Sequence, residues 1–161
     1  GDPNCRIYED PLVAGRETAP MLKFLIPVDG SKQSERAVKH VIRLAGCPDA
    51  VKIYLLNVRE WTDSWEVKRF LNKGEIAGMQ QSEGEVDLRS ARLLLDQAGV
   101  DYEAHVIAGP IAQTIADYAQ QMGCDQIFMG SHGRGGLAGL LLGSVAAKVI
   151  QLTRIPVTVV K

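Results

Sequence analysis

The stretch Asp125-Gln-Ile-Phe-Met-Gly-Ser-His-Gly-Arg-Gly-Gly-Leu-Ala-Gly-Leu-Leu-Leu-Gly-Ser-Val-Ala-Ala-Lys-Val-Ile-Gln-Leu152 contains a strand pattern, a glycine-rich loop and a helix pattern, in that order. Glycine lets backbone N–H groups approach an anion, and the first turn of a helix has donors without intrahelical partners. The order therefore predicts a phosphate site. Its spacing, Gly-x2-Gly-x9-Gly-Ser from Gly130 to Ser144, is neither the dinucleotide fingerprint nor the P-loop, because no lysine precedes Ser144.

Apolar runs of strand length alternate with amphipathic helix patterns along the rest of the chain. The other strand candidates are residues 21–28, 51–58, 101–108 and 156–160, and Ser31 is placed to cap the helix after the first of them. Strands that are apolar on both faces and alternate with helices predict a parallel sheet covered on both sides. Right-handed crossovers make this α/β sheet doubly wound.

The remaining segments define the domain organisation. Residues 1–20 hold several prolines and show no sustained period, which predicts an irregular N-terminal arm, and residues 21–161 are predicted to form a single domain. Residues 59–82 are polar and ambiguous, and a long helix follows to about Ala98 with an apolar set that includes Val86 and Leu93. In the ambiguous segment Trp61 and Trp65 stand four apart on a possible helix, where they predict a packing or interface pair rather than an adenine clamp.

Composition excludes several classes of function. The 161 residues are 46% hydrophobic and 23% charged with a net charge of -1, which argues against a basic nucleic-acid face. No apolar run approaches the roughly 18 residues of a membrane span, and no signal peptide is evident. The cysteines, Cys5, Cys47 and Cys124, form no C-x-x-C pair, so we expect free thiols in the cytoplasm and no zinc site.

If the first and fourth strands are neighbours in the sheet, the loop, the end of the first strand and the end of the second meet. In open doubly wound sheets, ligands bind beyond the carboxyl ends of the strands where the strand order reverses. Asp29 suits a ribose hydroxyl or a polar base edge, or serves as a turn residue beside Gly30. Val28 and Val58 suit the flat face of a base. Residues that suit phosphates are Gly133, Arg134, Gly143 and Ser144, and Ser144 is also the expected N-cap of its helix.

Two residues leave alternatives open. Pro27 has no N–H for a sheet ladder, so either the strand stops at Ile26 or its end is shaped for a ligand. His132 could assist an attacking water, although a solvent-facing loop histidine is commoner. No Walker lysine, paired acidic metal site or nucleophile–base pair is evident at a recognisable spacing. We therefore predict no catalytic and no metal-ligating residue.

Residues 21–161 resemble the universal stress protein family. The segments that carry the resemblance are residues 25–31 (LIPVDGS), 55–58 (LLNV), 129–146 (MGSHGRGGL…LLGSVA) and 156–160 (PVTVV). The loop matches the family pattern Gly-x2-Gly-x9-Gly-[Ser/Thr], which separates the ATP-binding branch from the branch that does not bind ATP.

The resemblance implies a flavodoxin-like, five-stranded sheet of order 3-2-1-4-5 with helices on both faces. It also implies a homodimer that pairs through the last strand, and ATP across the ends of strands one and four with Mg²⁺ or Mn²⁺ on its phosphates. Carried over by position, the residues lining the adenosine part are Pro27, Val28, Asp29 and Val58. Those holding ribose and phosphates are Met129, Gly130, Gly133, Arg134, Gly143, Ser144 and Val145.

Three functions are consistent with these features. The first is an ATP-binding regulatory protein of the stress response, whose nucleotide occupancy is coupled to dimerisation or to an unknown protein partner. The second is a slow ATPase or phosphotransfer enzyme in which His132 or Asp29 assists water. The third is an interaction module whose pocket is vestigial or is blocked by residues 59–75.

Overall fold

The computed structural model describes residues 21–46, 50–61, 65–133 and 142–161. The predicted arm of residues 1–20 and the predicted phosphate ligand Arg134 lie outside these ranges. The elements in chain order are β1 (Leu22–Pro27), α1 (Lys32–Ala45), β2 (Val51–Arg59), α2 (Trp65–Phe70), α3 (Lys73–Ala98), β3 (Tyr102–Ala108), α4 (Ile111–Gln121), β4 (Gln126–Gly130), α5 (Ser144–Leu152) and β5 (Val157–Val160).

The five strands form one parallel sheet of order β3-β2-β1-β4-β5, which confirms the predicted fold class and strand order. Strand β1 is central, and the chain proceeds from it first towards β3 and then, after crossing over, towards β5. The strand order therefore reverses between β1 and β4. Because ligand sites of such sheets lie at this reversal, the fold places the candidate site at the carboxyl ends of β1 and β4.

Side-chain alternation along β1 divides the hydrophobic core into two layers. Ile26 packs in the layer under α1 and α3, and its neighbour Leu25 packs in the layer under α4 and α5. Both side chains have 0% exposure. A central strand buried on both faces reads as a continuous apolar run, and this is why the sequence pattern identified β1.

Pro27 belongs to β1, so the strand does not stop at Ile26. The N–H of Val28 donates to the carbonyl of Leu56 on β2 at 2.9 Å, and strand alternation therefore turns the nitrogen of Pro27 towards β4. Pairing between β1 and β4 ends at Leu25 opposite Ile127. The missing N–H thus falls where the two strands part, and proline there leaves no unpaired donor in the opening.

Two expectations for α3 were wrong. Helix α3 begins at Lys73 rather than near residue 83, with Asn72 and Glu75 forming a capping box. Val86 and Leu93, predicted to lie on its apolar face, are each 56% exposed. The two tryptophans do not share a helix, because Trp61 precedes α2. Of the helices in the described part, none is long and apolar enough to cross a membrane.

Candidate functional site

A cavity of about 370 Å³ opens where β1 and β4 part. All predicted site residues that the structure describes line it: Pro27, Val28, Asp29, Val58, Met129, Gly130, Gly133, Gly143, Ser144 and Val145. Its volume lies within the range of about 300–1,000 Å³ that is typical of small-molecule sites. Segments that are more than 100 residues apart in sequence therefore converge on one cavity, as the reversal of strand order predicts.

One part of the cavity wall is apolar. It includes Val58 and Met129, which the sequence predicted, and three residues that it did not: Leu56, Ile111 and Ile115. Ile111 and Ile115 lie on the first turns of α4, whose N-terminus reaches the same edge of the sheet. The helix pattern was visible in the sequence, but the crossover that places this helix beside β2 and α5 was not.

The turn after β1 brings a carboxylate to the glycine loop. One oxygen of Asp29, Oδ1, accepts the N–H of Ser31 at 3.0 Å, and Gly30 has the positive φ of 78° that this turn requires. A Cβ on Gly133 would lie only 2.6 Å from the other oxygen, Oδ2. Asp29 is therefore a turn residue that also reaches across the cavity to Gly133, where a Cβ would displace its carboxylate.

Helix α5 points an N-terminus without a side-chain cap into the cavity. Its N-cap is Gly143, which offers no side-chain acceptor, so the expectation that Ser144 is the N-cap was wrong. The N–H of Gly143 donates to the carbonyl of Ser131 at 2.6 Å and fixes the entry into the helix. The first residues of the helix, Ser144, Val145 and Ala146, line the cavity. Such an end combines N–H donors with the positive end of the helix dipole and suits an anion.

A serine–histidine pair lies between β4 and Gly133. Ser131 is 3% exposed, and its Oγ lies 2.9 Å from Nδ1 of His132. The other ring nitrogen, Nε2, is buried and has no hydrogen-bond partner among the described residues. Both residues line the cavity. The sequence singled out His132 but not Ser131, because adjacent residues in a loop give no sign of a side-chain contact.

A second, polar cavity of about 330 Å³ adjoins the first and shares five lining residues with it, among them Asp29, Val58 and Gly133. Arg59 lies in its wall and donates to Asp87 at 3.0 Å and to Glu83 at 2.5 Å. The sequence did not reveal this network, because its members lie on β2 and α3, more than 20 residues apart. No group of three or more His, Cys, Asp or Glu side chains in the described ranges could hold a metal ion.

Comparison with known proteins gives close matches over most of the chain. The model of the universal stress protein family matches residues 21–161. Universal stress protein MJ0531 of Methanocaldococcus jannaschii is 34% identical over 146 residues, which cover 86% of this chain and 81% of that protein. Universal stress protein MJ0577 of the same organism is 31% identical over 156 residues, covering 86% and 94%.

Solved structures of similar proteins share the fold of this chain. The structure of MJ0577 matches with a TM-score of 0.76 at 31% identity, covering 89% of this chain and 97% of that one. The universal stress protein of Archaeoglobus fulgidus in complex with dAMP matches with a TM-score of 0.61 over 87% and 98% of the two chains, at 22% identity, and this similarity shows the fold alone. Given the family match over residues 21–161, the chain belongs to the universal stress protein family.

Proposed function

We propose that this protein binds an adenine nucleotide, with ATP as the predicted ligand, in the cavity between β1 and β4, and that it acts as a regulatory protein of the stress response in the cytoplasm. The observation that carries the proposal is the meeting of three features in one cavity: an apolar wall, the Asp29–Gly133 approach, and the N-terminus of α5 without a side-chain cap. An apolar surface suits a base, a carboxylate suits a ribose hydroxyl, and a helix N-terminus suits phosphates. The dAMP complex of the Archaeoglobus protein supports a nucleotide on this fold.

Most of the binding free energy must come from the apolar wall. An anion at a helix N-terminus gains about 0.3–1 kcal/mol, and up to about 2 kcal/mol when partly buried. Micromolar binding requires about 8 kcal/mol. Phosphate contacts alone are therefore insufficient, and burial of the base against residues such as Val58 and Met129 supplies much of the remainder.

A divalent cation would be held mainly by the nucleotide. The described side chains offer no metal cluster, and Asp29 is the carboxylate on the wall of the first cavity. Mg²⁺ typically keeps several waters and binds through one or two carboxylates and the substrate phosphates. The proposed Mg²⁺ or Mn²⁺ therefore accompanies ATP and is not a resident metal.

The same site offers a physical link to the proposed homodimer. Strand β5 is an edge strand, and its last residue, Val160, accepts the N–H of Ser131 at 2.9 Å through its carbonyl. Ser131 lines the cavity. A ligand that contacts Ser131 would therefore also act on the edge strand that a second copy would pair with. Nucleotide occupancy is thereby coupled to dimerisation, and light scattering with and without ATP measures that coupling.

The alternative of a blocked pocket places residues 59–75 over the cavity. Within residues 59–75, those that the structure describes contribute Arg59 and Glu60 to the polar cavity and nothing to the wall of the first cavity. Trp61 is 67% exposed. Slow ATP hydrolysis remains a second proposal, because the Ser131–His132 pair lies in the cavity wall. Phosphate release in a single turnover, compared between wild type and His132→Ala, tests it.

The test of nucleotide binding is a thermal shift with ATP, ADP, AMP and Mg²⁺. A ligand at 100 times its dissociation constant adds about 2.7 kcal/mol, which raises the Tm of a domain of this size by roughly 5–10 °C. Gly143→Val should abolish the shift, because its side chain enters the space beside Ser131 and His132. If millimolar nucleotide leaves the Tm of the wild type unchanged, the proposal is wrong.

A further inference from the structure

Helix α3 carries a row of exposed apolar side chains. Met79, Val86 and Leu93 are 36%, 56% and 56% exposed. They stand seven residues apart, which is close to two helical turns, so their side chains lie in one line along the helix. Leu88 and Leu95, which pack in the core, lie on the opposite side of the helix. The row therefore belongs to the outer face of α3 and not to the hydrophobic core.

The outer face of α3 is chemically symmetric about Val86. Residues at equal distances before and after Val86 correspond in size and character, and the pairs are Met79 with Leu93, Ser82 with Ser90, and Glu75 with Gln97. A two-fold axis through Val86 would run α3 antiparallel to the α3 of a second copy and place the two members of each pair opposite each other. The apolar rows of the two copies would then face each other. This symmetry favours a second copy over an unrelated partner, which has no such axis.

The charges on one flank of the row complement each other across the same axis. Arg89 and Glu85 lie one turn apart on this flank. Arg89 is exposed and forms no ion pair within the described part of the chain. Glu85 pairs with Arg92 at 3.1 Å, and its side chain is still 42% exposed. In an antiparallel pair like flanks face each other, so Arg89 of one copy would lie within about 3 Å, measured along the helix axis, of Glu85 of the second copy.

The neighbours of the row are small, and the face is long enough for a helix pair. Gly78, Ser82 and Ser90 flank the apolar side chains, and a Cβ on Gly78 would meet nothing within 4 Å. Small residues let two helix axes approach to the about 8–10 Å of ordinary helix packing. The row spans about 21 Å of a 26-residue helix that is about 39 Å long. A single helix pair covers less than the roughly 1,200 Å² of a standard interface, so we expect a weak contact.

We infer that the outer face of α3, from Met79 to Leu93, is a contact surface for a second copy of this chain, with the two α3 helices antiparallel and crossing at Val86. Helix α3 packs on β2 and β3, towards the sheet edge opposite β5. The surface is therefore separate from the edge proposed for the β5 dimer, and it would join two such dimers into a larger assembly. The contact does not depend on nucleotide binding.

Disulfide cross-linking of the full chain tests the contact. The background carries Cys5→Ser and Cys47→Ser and keeps Cys124, which is buried. Val86→Cys places a thiol opposite its own copy, because with helix axes about 10 Å apart the facing Cα atoms lie about 5 Å apart, a distance that a disulfide spans. Gln81→Cys is the matched control, since it is exposed on the same helix but lies off the row. We expect Val86→Cys to form linked dimers at least about 10-fold faster than Gln81→Cys.

The same chemistry reports the orientation of the two helices. Met79→Cys alone should not cross-link, because the two-fold axis separates its two copies by about 21 Å. A mixture of Met79→Cys and Leu93→Cys should cross-link, because the axis places these positions opposite each other. Cross-linking of Met79→Cys alone would show parallel helices and overturn the inference.

Sedimentation over a series of protein concentrations measures the contact without added cysteines. Val86→Glu should weaken the association by about 10-fold or more, because two carboxylates would meet at the axis. Arg89→Glu should also weaken it, and the double variant Glu85→Arg/Arg89→Glu, which restores opposite charges across the axis, should recover association to within about 3-fold of the wild type. Circular dichroism of each variant shows whether it is folded.

Each alternative occupant gives a different result. Equal cross-linking of Val86→Cys and Gln81→Cys, or the same association state in the wild type and Val86→Glu at every concentration, overturns the inference. If both effects are seen only after deletion of residues 1–20, those residues cover the row in the full chain, and the contact between copies is wrong. None of these results bears on the nucleotide cavity, which calorimetric titration with ATP tests separately.

Discussion

Replacing Gly133 by alanine tests the approach of the β1 turn to the glycine loop. The new Cβ would lie 2.6 Å from Oδ2 of Asp29, whereas an ordinary contact is at least 3.4 Å, so the carboxylate must retreat by about 0.8 Å. Its other oxygen is held by the N–H of Ser31 at 3.0 Å, which limits that retreat. The backbone itself is not strained, because Gly133 is not among the glycines with positive φ.

The structure predicts a small effect on folding and a large effect on binding. Only the end of one side chain must move, so the free energy of unfolding falls by about 1 kcal/mol, the lower end of the range for overpacking. That corresponds to a Tm lower by roughly 2–4 °C. Loss of one hydrogen bond that the Asp29 carboxylate accepts from the ligand removes about 1.5–3 kcal/mol of binding free energy, or roughly a 10- to 100-fold rise in the Kd for ATP.

The assay is calorimetric titration with Mg-ATP, with chemical denaturation of the same samples. Gly78→Ala is the matched control, since it makes the same chemical change on α3 at a position where a Cβ meets nothing within 4 Å. The control should bind ATP like the wild type. If Gly133→Ala also binds like the wild type, Asp29 and the glycine loop do not form the ligand site.

Three further predictions concern other parts of the chain. Gly130→Ala should lower the free energy of unfolding by about 1–3 kcal/mol in urea denaturation, because its Cβ would lie 2.8 Å from the backbone of α1; an unchanged midpoint would contradict this packing. On α3, Gly78→Ala should raise the free energy of unfolding by about 0.5–1 kcal/mol, because its Cβ meets nothing within 4 Å. Gly84→Ala should lower that free energy, because its Cβ would meet side chains of β2 and β3. Equal effects of the two substitutions would refute this placement of the helix. Burial raises the pKa of the Cys124 thiol to about 11. With the other two cysteines replaced by serine, a disulfide reagent at pH 8 should therefore react roughly 100-fold more slowly with the folded than with the unfolded chain, and equal rates would show an accessible thiol.

The sequence predicted the sheet because its strands are short apolar runs between clear breaks. The strand order, which brings the strand ends of the cavity wall together, came from the family resemblance and not from the residue pattern. The predictions from sequence were wrong where glycines interrupted a helix pattern or where a cap residue was misassigned. Gly74, Gly78 and Gly84 obscure the first half of α3, although the capping box at Asn72 marks its start. Gly143 takes the cap position because the adjacent loop packs against it, a tertiary reason that side-chain preferences do not encode.

Contacts between side chains were the part least accessible to sequence reasoning. Arg59, Glu83 and Asp87 are ordinary charged residues until β2 and α3 pack together, and burial of Asp87 to 5% exposure is a property of the fold. The Ser131–His132 pair depends on loop geometry in the same way. Residue types and their spacing predict which backbone segments meet. Hydrogen-bond partners depend on the exact positions of side-chain atoms, which the spacing of residues does not define.

A crystal structure of the protein grown with Mg-ATP would show where the nucleotide binds. We expect the base against the apolar wall that includes Val58, and the phosphates at the N-terminus of α5 beside Gly133 and Gly143. A nucleotide bound elsewhere on the surface, or the cavity between β1 and β4 without nucleotide at saturating ATP, would contradict this expectation.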